Sequence, residues 1–113
     1  MGTRMETVEM SAPGEKIVAR KEKGEVEAGR VYVYFLRNDL HDRPFAFIED
    51  VFVHKEYRGS GLGAELVDKG VERAKERGCY KVIMTCRHSK TRVHELYKQA
   101  GFYDQGKEFR RDL

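Results

Sequence analysis

Val51-Phe52-Val53-His54-Lys55-Glu56-Tyr57-Arg58-Gly59-Ser60-Gly61-Leu62-Gly63 decides how this chain of 113 residues is read. It opens as a β-branched and aromatic strand and ends with three glycines in five positions. Glycine is entropically costly where nothing requires it, so the spacing predicts a loop whose backbone approaches a ligand. Beyond the loop, Leu62, Leu66, Val67, Val71 and Ala74 recur at the helical period as far as Gly78, a natural stop. A glycine loop opening such a helix offers free N–H groups and the positive end of the helix dipole. Together these favour an anion, most often a phosphate.

Working outward, the strand extends back to Phe45, with Phe47, Glu49, Val51 and Val53 expected on one face and Ile48, Asp50 and Phe52 on the other. Val31, Val33 and Phe35 alternate with Tyr32, Tyr34 and Leu36, a strand expected to be covered on both faces. Lys16–Lys21 predicts an earlier strand, joined through a turn at Glu22-Lys23-Gly24-Glu25 where Gly24 supplies a positive φ. Residues Met1–Glu15 read as a flexible lead-in and residues 16–113 as one domain. Downstream, Tyr80–Cys86 reads as a buried strand. Thr91 is expected to cap a helix with Val93, Leu96, Tyr97 and Ala100 inward, ended by Gly101. Phe102–Phe109 is expected as a last strand. The order β-β-β-α-β-α-β, with one parallel crossover, places the chain in the α+β class with a mixed sheet flanked by helices.

Composition narrows the function. Hydrophobic residues make up 40% and charged residues 36%, with both signs mixed, so the excess charge reads as a solvated surface. The chain holds no apolar run long enough to span a bilayer and no signal-peptide core, so a soluble cytoplasmic protein is expected. Cys79 and Cys86, seven positions apart, fit neither a zinc pair nor a redox motif and read as small buried hydrophobes; no metal is expected. Lys55–Leu113 carries 14 basic and 9 acidic residues, against 8 and 10 in Met1–His54. The basic half suits an anionic ligand. Nucleic acid would suit that charge, but no aromatic-and-basic stripe or zinc-finger spacing supports it and none is expected as a partner; a small phosphorylated ligand fits the charge equally well.

Two common phosphate loops are excluded. A Walker A loop requires Lys-Ser/Thr after its last glycine, and Ala64-Glu65 follow Gly63. A dinucleotide fingerprint is matched by Gly59, Gly61 and Ala64. It requires the strand to run straight into the first glycine, and Lys55–Arg58 intervene. The pattern Arg-x-x-Gly-x-Gly after Val-x-Val resembles motif A of the GNAT N-acetyltransferase superfamily. Leu96-Tyr97-Lys98-Gln99-Ala100-Gly101-Phe102 is similar to that superfamily's motif B. The resemblance runs from about Arg20 to Phe109.

The resemblance implies a GNAT-like fold and acetyl-CoA as co-substrate. It places the pyrophosphate on the backbone of Arg58, Gly59, Ser60, Gly61, Leu62 and Gly63, and the pantetheine arm along the main chain of Val51, Phe52 and Val53. The acceptor is then an amine, which must be neutral to attack, so a base helps. Glu49, a carboxylate in a mostly apolar strand beside the expected thioester, is the candidate; its bland alternative is a solvated strand residue. The resemblance assigns Tyr97 as the acid for the leaving thiolate, against a plain core aromatic.

Ile48–Val51, Glu56–Gly59, Cys79–Ile83, Cys86 and Tyr97-Lys98 are further similar to the glucosamine-6-phosphate N-acetyltransferases. That likeness implies acceptor contacts from Glu49 and Asp50, and a phosphate contact from Arg110 or Arg111. An amino-sugar phosphate is one acceptor; a peptide, protein or other small amine is another. Met1–Glu15 is too short to supply the superfamily's first strand and first two helices. An N-terminally shortened sheet is therefore expected, covered by a second copy in a homodimer. An acetyl-CoA binder or partner subunit without catalysis is the reading from a different class.

Overall fold

A computed structural model of the chain describes residues 2–21 and 24–113. Three antiparallel strands come first: β1 (Gly14–Arg20), β2 (Glu27–Leu36) and β3 (Phe45–Val53). A short 3-10 turn, Lys55–Tyr57, leads through the glycine loop into helix α1 (Leu62–Glu76). Strand β4 (Val82–Met84) then pairs parallel to β3, and helix α2 (Thr91–Gln99) follows. The sheet order β1-β2-β3-β4 makes it an open mixed sheet of four strands, as the β-β-β-α-β crossover pattern requires.

The core lies between α1 and one face of the sheet. Val31, Val33 and Phe35 of β2 and Ala46 and Ile48 of β3 meet Leu66 and Ala74 of α1, all nearly inaccessible, as is Val67 of the same helix. The helical stripe read from the sequence is the face that packs. Gly70 lets α1 come close: a Cβ there would lie 3.0 Å from the Ile48 Cδ1. Gly78 ends the helix at φ 76°, a left-handed conformation that favours glycine. Glu15 ties β1 to α1 through two 2.8 Å hydrogen bonds donated by Arg73, and these hold its carboxyl below the usual range. Glu15 therefore belongs to β1 and not to the lead-in.

Strand β3 departs from simple alternation. Tyr32 stands opposite Glu49 and Arg30 opposite Phe52, so Val31 faces two residues, Asp50 and Val51. This is a β-bulge, with Asp50 at φ 54°. The extra residue inverts the parity. Ala46 and Ile48 face α1 before the bulge, and Val51 and Val53 pack on the same core after it. Glu49 is thus not on the face of Val51 and Val53, as strict alternation predicts.

Other expectations are corrected as well. Phe102–Phe109 forms no strand; the chain from Phe102 onward carries no regular structure. The sheet face opposite α1 is only partly covered, with Tyr34 exposed. Lys90, not Thr91, occupies the α2 N-cap, without a side-chain cap bond. Cys79 and Cys86 are half-buried free thiols. The expected turn falls partly on Glu22 and Lys23, outside the described residues; Gly24 has the expected positive φ, 84°.

Candidate functional site

The site begins where the sheet comes apart. β3 and β4 pair only from Ala46 to Ile48, against Val82 to Met84. Past Ile48 the bulge bends β3, while the chain after Met84 leaves for α2. A cavity of about 840 Å³ fills the gap. One wall is Glu49, Asp50, Val51 and Val53 of β3 with Gly63, Ala64 and Val67 of α1. The other is Thr85 to Arg87, Lys90, and Val93, Leu96, Tyr97 and Ala100 of α2, with Glu108 and Arg110 from the C-terminal segment.

The glycine loop stands at the mouth of the first wall. Gly59 (φ 88°) and Gly61 (φ 84°) are left-handed, and a Cβ at either would meet no atom within 4 Å. The backbone conformation, not space, is therefore what selects glycine there. The Glu65 N–H is the first of α1 to close on the loop, at 3.1 Å from the Gly61 O. Among the described residues, no backbone carbonyl receives the N–H groups of Gly59 to Ala64. These open donors and the α1 dipole make the loop an anion cradle. The loop is braced by Arg58 Nε, which donates to the Val53 O at 2.8 Å, and by the Ser60 hydroxyl, which donates to the Tyr57 O at 3.0 Å.

Behind this wall lies a charged network. Arg30 Nε is 3.3 Å from the Asp50 Oδ2, and Arg30 Nη1 is 3.2 Å from the Glu27 Oε2. Glu27 also accepts from His54 Nε2 at 2.9 Å and faces the Lys16 Nζ at 3.5 Å. The His54 bond above all, then those of Arg30 and Lys16, hold the Glu27 carboxyl down to about 2, against the upward push of desolvation. The Phe52 ring carries the Arg30 guanidinium at 4.7 Å and the Arg58 guanidinium at 5.6 Å, both in cation–π range.

The sequence-predicted residues divide accordingly. Glu49, Asp50, Val51, Val53, Gly63, Tyr97 and Arg110 line the one cavity. Phe52 and the loop from Arg58 to Leu62 lie beside it, and Arg111 does not line it. Glu49 is exposed, so it is a solvated carboxylate and not one forced into an apolar strand. Tyr97 is half-buried, and burial, with the Cys86 thiol adding to it, pushes its phenol up. The phenol is therefore protonated at neutral pH, and the shift makes it a weaker acid than a free tyrosine. The sequence reading missed Tyr32, Tyr34, Cys86, Arg87, Lys90 and Glu108 as lining residues. The parity of β2 carries a signal for the two tyrosines, which lie off the face of Val31 and Val33. The others depend on how α2 and the C-terminal segment fold back.

A model of the acetyltransferase (GNAT) family matches residues 4–102. The chain belongs to this GNAT family. A thialysine N-epsilon-acetyltransferase of Bos taurus is 32% identical over 95 residues, 84% of this chain and 52% of that protein. A probable glucosamine 6-phosphate N-acetyltransferase of Oryza sativa subsp. japonica is 44% identical over 59 residues, 52% of this chain and 34% of that protein. A crystal structure of an acetyltransferase of Trypanosoma brucei superposes with a TM-score of 0.82 at 28% identity, covering 88% of this chain and 69% of its own. This GNAT chain spans about half or less of the length of those two curated relatives. Among its described residues, no helix is long and apolar enough to cross a membrane.

Proposed function

We propose that the chain forms the catalytic part of an acetyl-CoA-dependent N-acetyltransferase that acetylates a primary amine by direct attack in a ternary complex. One observation carries this reading: Glu49, Tyr97 and the Gly63 end of an anion cradle line the same cavity. The open N–H groups of the glycine loop fit a pyrophosphate, and the unpaired side of Val51–Val53 fits an extended amide chain laid along the strand. Acetyl-CoA supplies the activated acyl carbon.

The chain's own residues do the rest. Arg58 to Gly63 hold the phosphates, with Gly59 and Gly61 keeping the backbone N–H groups outward. Val51, Phe52 and Val53 orient the arm through their main chains, and a strand N–H there donates to the carbonyl oxygen as charge builds on it. Glu49 receives the proton lost by the amine, directly or through water. Tyr97 gives its proton to the departing sulfur; the phenol is protonated at neutral pH, and transfer follows charge building on the thiolate. Asp50 and Glu49 place negative charge on the amine side, and Arg110 supplies the cation for an acidic acceptor; Arg111 has the weaker claim. An amino-sugar phosphate meets this description, as does a small amino acid. The free thiols Cys79 and Cys86 suit a reducing compartment such as the cytoplasm. A second copy over the exposed Tyr34 face is the proposed assembly, tested by light scattering at micromolar concentration; a monomer with full activity would reject it.

The test of function is thiol release from acetyl-CoA with a panel of amines: a small amino acid, an amino-sugar phosphate and a peptide. Turnover above the amine-free rate is the expected result. Acetyl-CoA binding without turnover on any of them would leave a binder in place of an enzyme.

A further inference from the structure

We infer that Arg30 is a positioning residue that couples the two ends of this site. Through Asp50 it holds the bulge that sets Glu49 in the cleft, and through Phe52 it props Arg58 at the start of the glycine loop.

Arg30 lies on β2, opposite Phe52 and next to the register shift. Its guanidinium has three engagements. Nε meets the Asp50 carboxylate at 3.3 Å, Nη1 meets the Glu27 carboxylate at 3.2 Å, and the plane rests 4.7 Å from the Phe52 centroid. Only a planar fork serves all three; a lysine ammonium is a point charge without the stacking face. φ 54° at Asp50 is a minority conformation that Asp tolerates better than most residues with a Cβ, and the Arg30 contact favours it further. The Phe52 ring is shared, with the Arg58 guanidinium 5.6 Å from its centroid. Arg58 is fixed on its other side by the 2.8 Å bond to the Val53 carbonyl. A continuous path therefore runs from the bulge beside Glu49, through Arg30 and Phe52, to the residue that opens the cradle. Arg30 does not line the cavity. Its action is on the placement of Glu49 and of the loop, not on the reacting atoms.

The kinetic side of this inference rests on the proposed function; the coupling itself does not. Arg30→Lys is the test, read first by amide NMR on the free protein. The resonances of Glu49–Val53 and of Gly59 and Gly61 are expected to move, while those of Glu72–Gly78 stay. With acetyl-CoA, calorimetric Kd should rise about threefold to tenfold. In a Phe52→Leu background the same change should add less than about twofold, since the shared ring is gone. If Arg30→Lys does not fold, Asp50→Asn gives the same readout. It tolerates the left-handed backbone, and the part of its shift at Gly59 and Gly61 that is lost in a Phe52→Leu background is the part carried by Arg30 and the shared ring, as distinct from the route along β3 through the Val53 carbonyl. Unmoved glycine amides, or equal effects with and without Phe52, overturn the coupling. A wild-type chain that binds no acetyl-CoA removes the proposed function, and the amide shifts still decide the coupling.

Discussion

Helix α1 buries Leu66, Val67, Gly70 and Ala74, whereas none of the nine residues of α2 is buried. The two helices form facing walls of one cleft on unequal footings. The α1 wall is part of a core in which Val31, Val33, Ile48 and Val67 are almost fully enclosed. The α2 wall is attached through the three residues of β4 and through packing that leaves Leu96 half exposed. The difference teaches where rigidity is needed. The glycine loop and the bulge are exposed themselves, but each is continuous with an element of the packed side, α1 and β3. The wall bearing Tyr97 draws on little burial and belongs to the less stable end of the molecule.

A matched pair of leucines states that comparison in numbers. Leu66→Ala, on the packed wall, should lose about 2–5 kcal/mol of unfolding free energy. Urea denaturation measures it, and a loss below about 1 kcal/mol would break the contrast. On the other wall the largest effect should be on rate. Tyr97→Phe removes one hydroxyl, so kcat should fall about 10²–10⁴-fold with the melting temperature nearly unchanged. Wild-type turnover in that variant would make Tyr97 a packing residue.

The cradle sharpens the comparison from the ligand's side. Gly61→Asp puts a Cβ at φ 84° and a negative charge beside the open N–H groups. Calorimetry should show acetyl-CoA affinity down by about tenfold or more while circular dichroism stays native. Acid should act on the packed side first. The Glu27 pKa is depressed, so its contribution is present above the ordinary carboxylate pKa and is lost as pH falls from 4.5 to about 2. Melting scans across that window should show a shallower decline in Glu27→Gln than in the parent; equal slopes would discount the His54 and Arg30 bonds. The smallest effect belongs to the second leucine. Leu96→Ala should stay within about 0.5 kcal/mol, and a core-sized loss would show that α2 is packed after all.

The same division explains what was legible in the sequence. Leu66, Val67 and Ala74 announce α1 because a helical period is local and their burial needs only one sheet face. Gly59 and Gly61 were legible as loop glycines and Gly78 as a helix stop, and their left-handed backbone is what selects the residue type. The bulge was not: Asp50 is an ordinary polar residue, and its extra place exists only relative to Tyr32 and Arg30 across the ladder. Parity was therefore read correctly on β2 and wrongly on β3. Phe102–Phe109 has strand-like ends but Gly106 in the middle, and it pairs with neither open edge of the sheet. Of the residues singled out by motif and spacing, Glu49, Gly63 and Tyr97 line the cavity, while Arg58–Leu62 lie beside it. Tyr32 and Tyr34 were within reach of the β2 parity, whereas Arg30 required the pairing register.

The short pairing between β3 and β4, three residues on each strand, has a thermodynamic consequence. A ligand that touches both walls binds only molecules in which the α2 wall is in place. Its apparent affinity is the intrinsic one scaled by the population of that arrangement. Substitutions that dock α2 more firmly, far from any ligand atom, will therefore tighten binding, and loosening ones will weaken it while the lining of the cleft stays the same. To the extent that this docking is incomplete in the free protein, the affinity of the cleft carries a folding equilibrium within it.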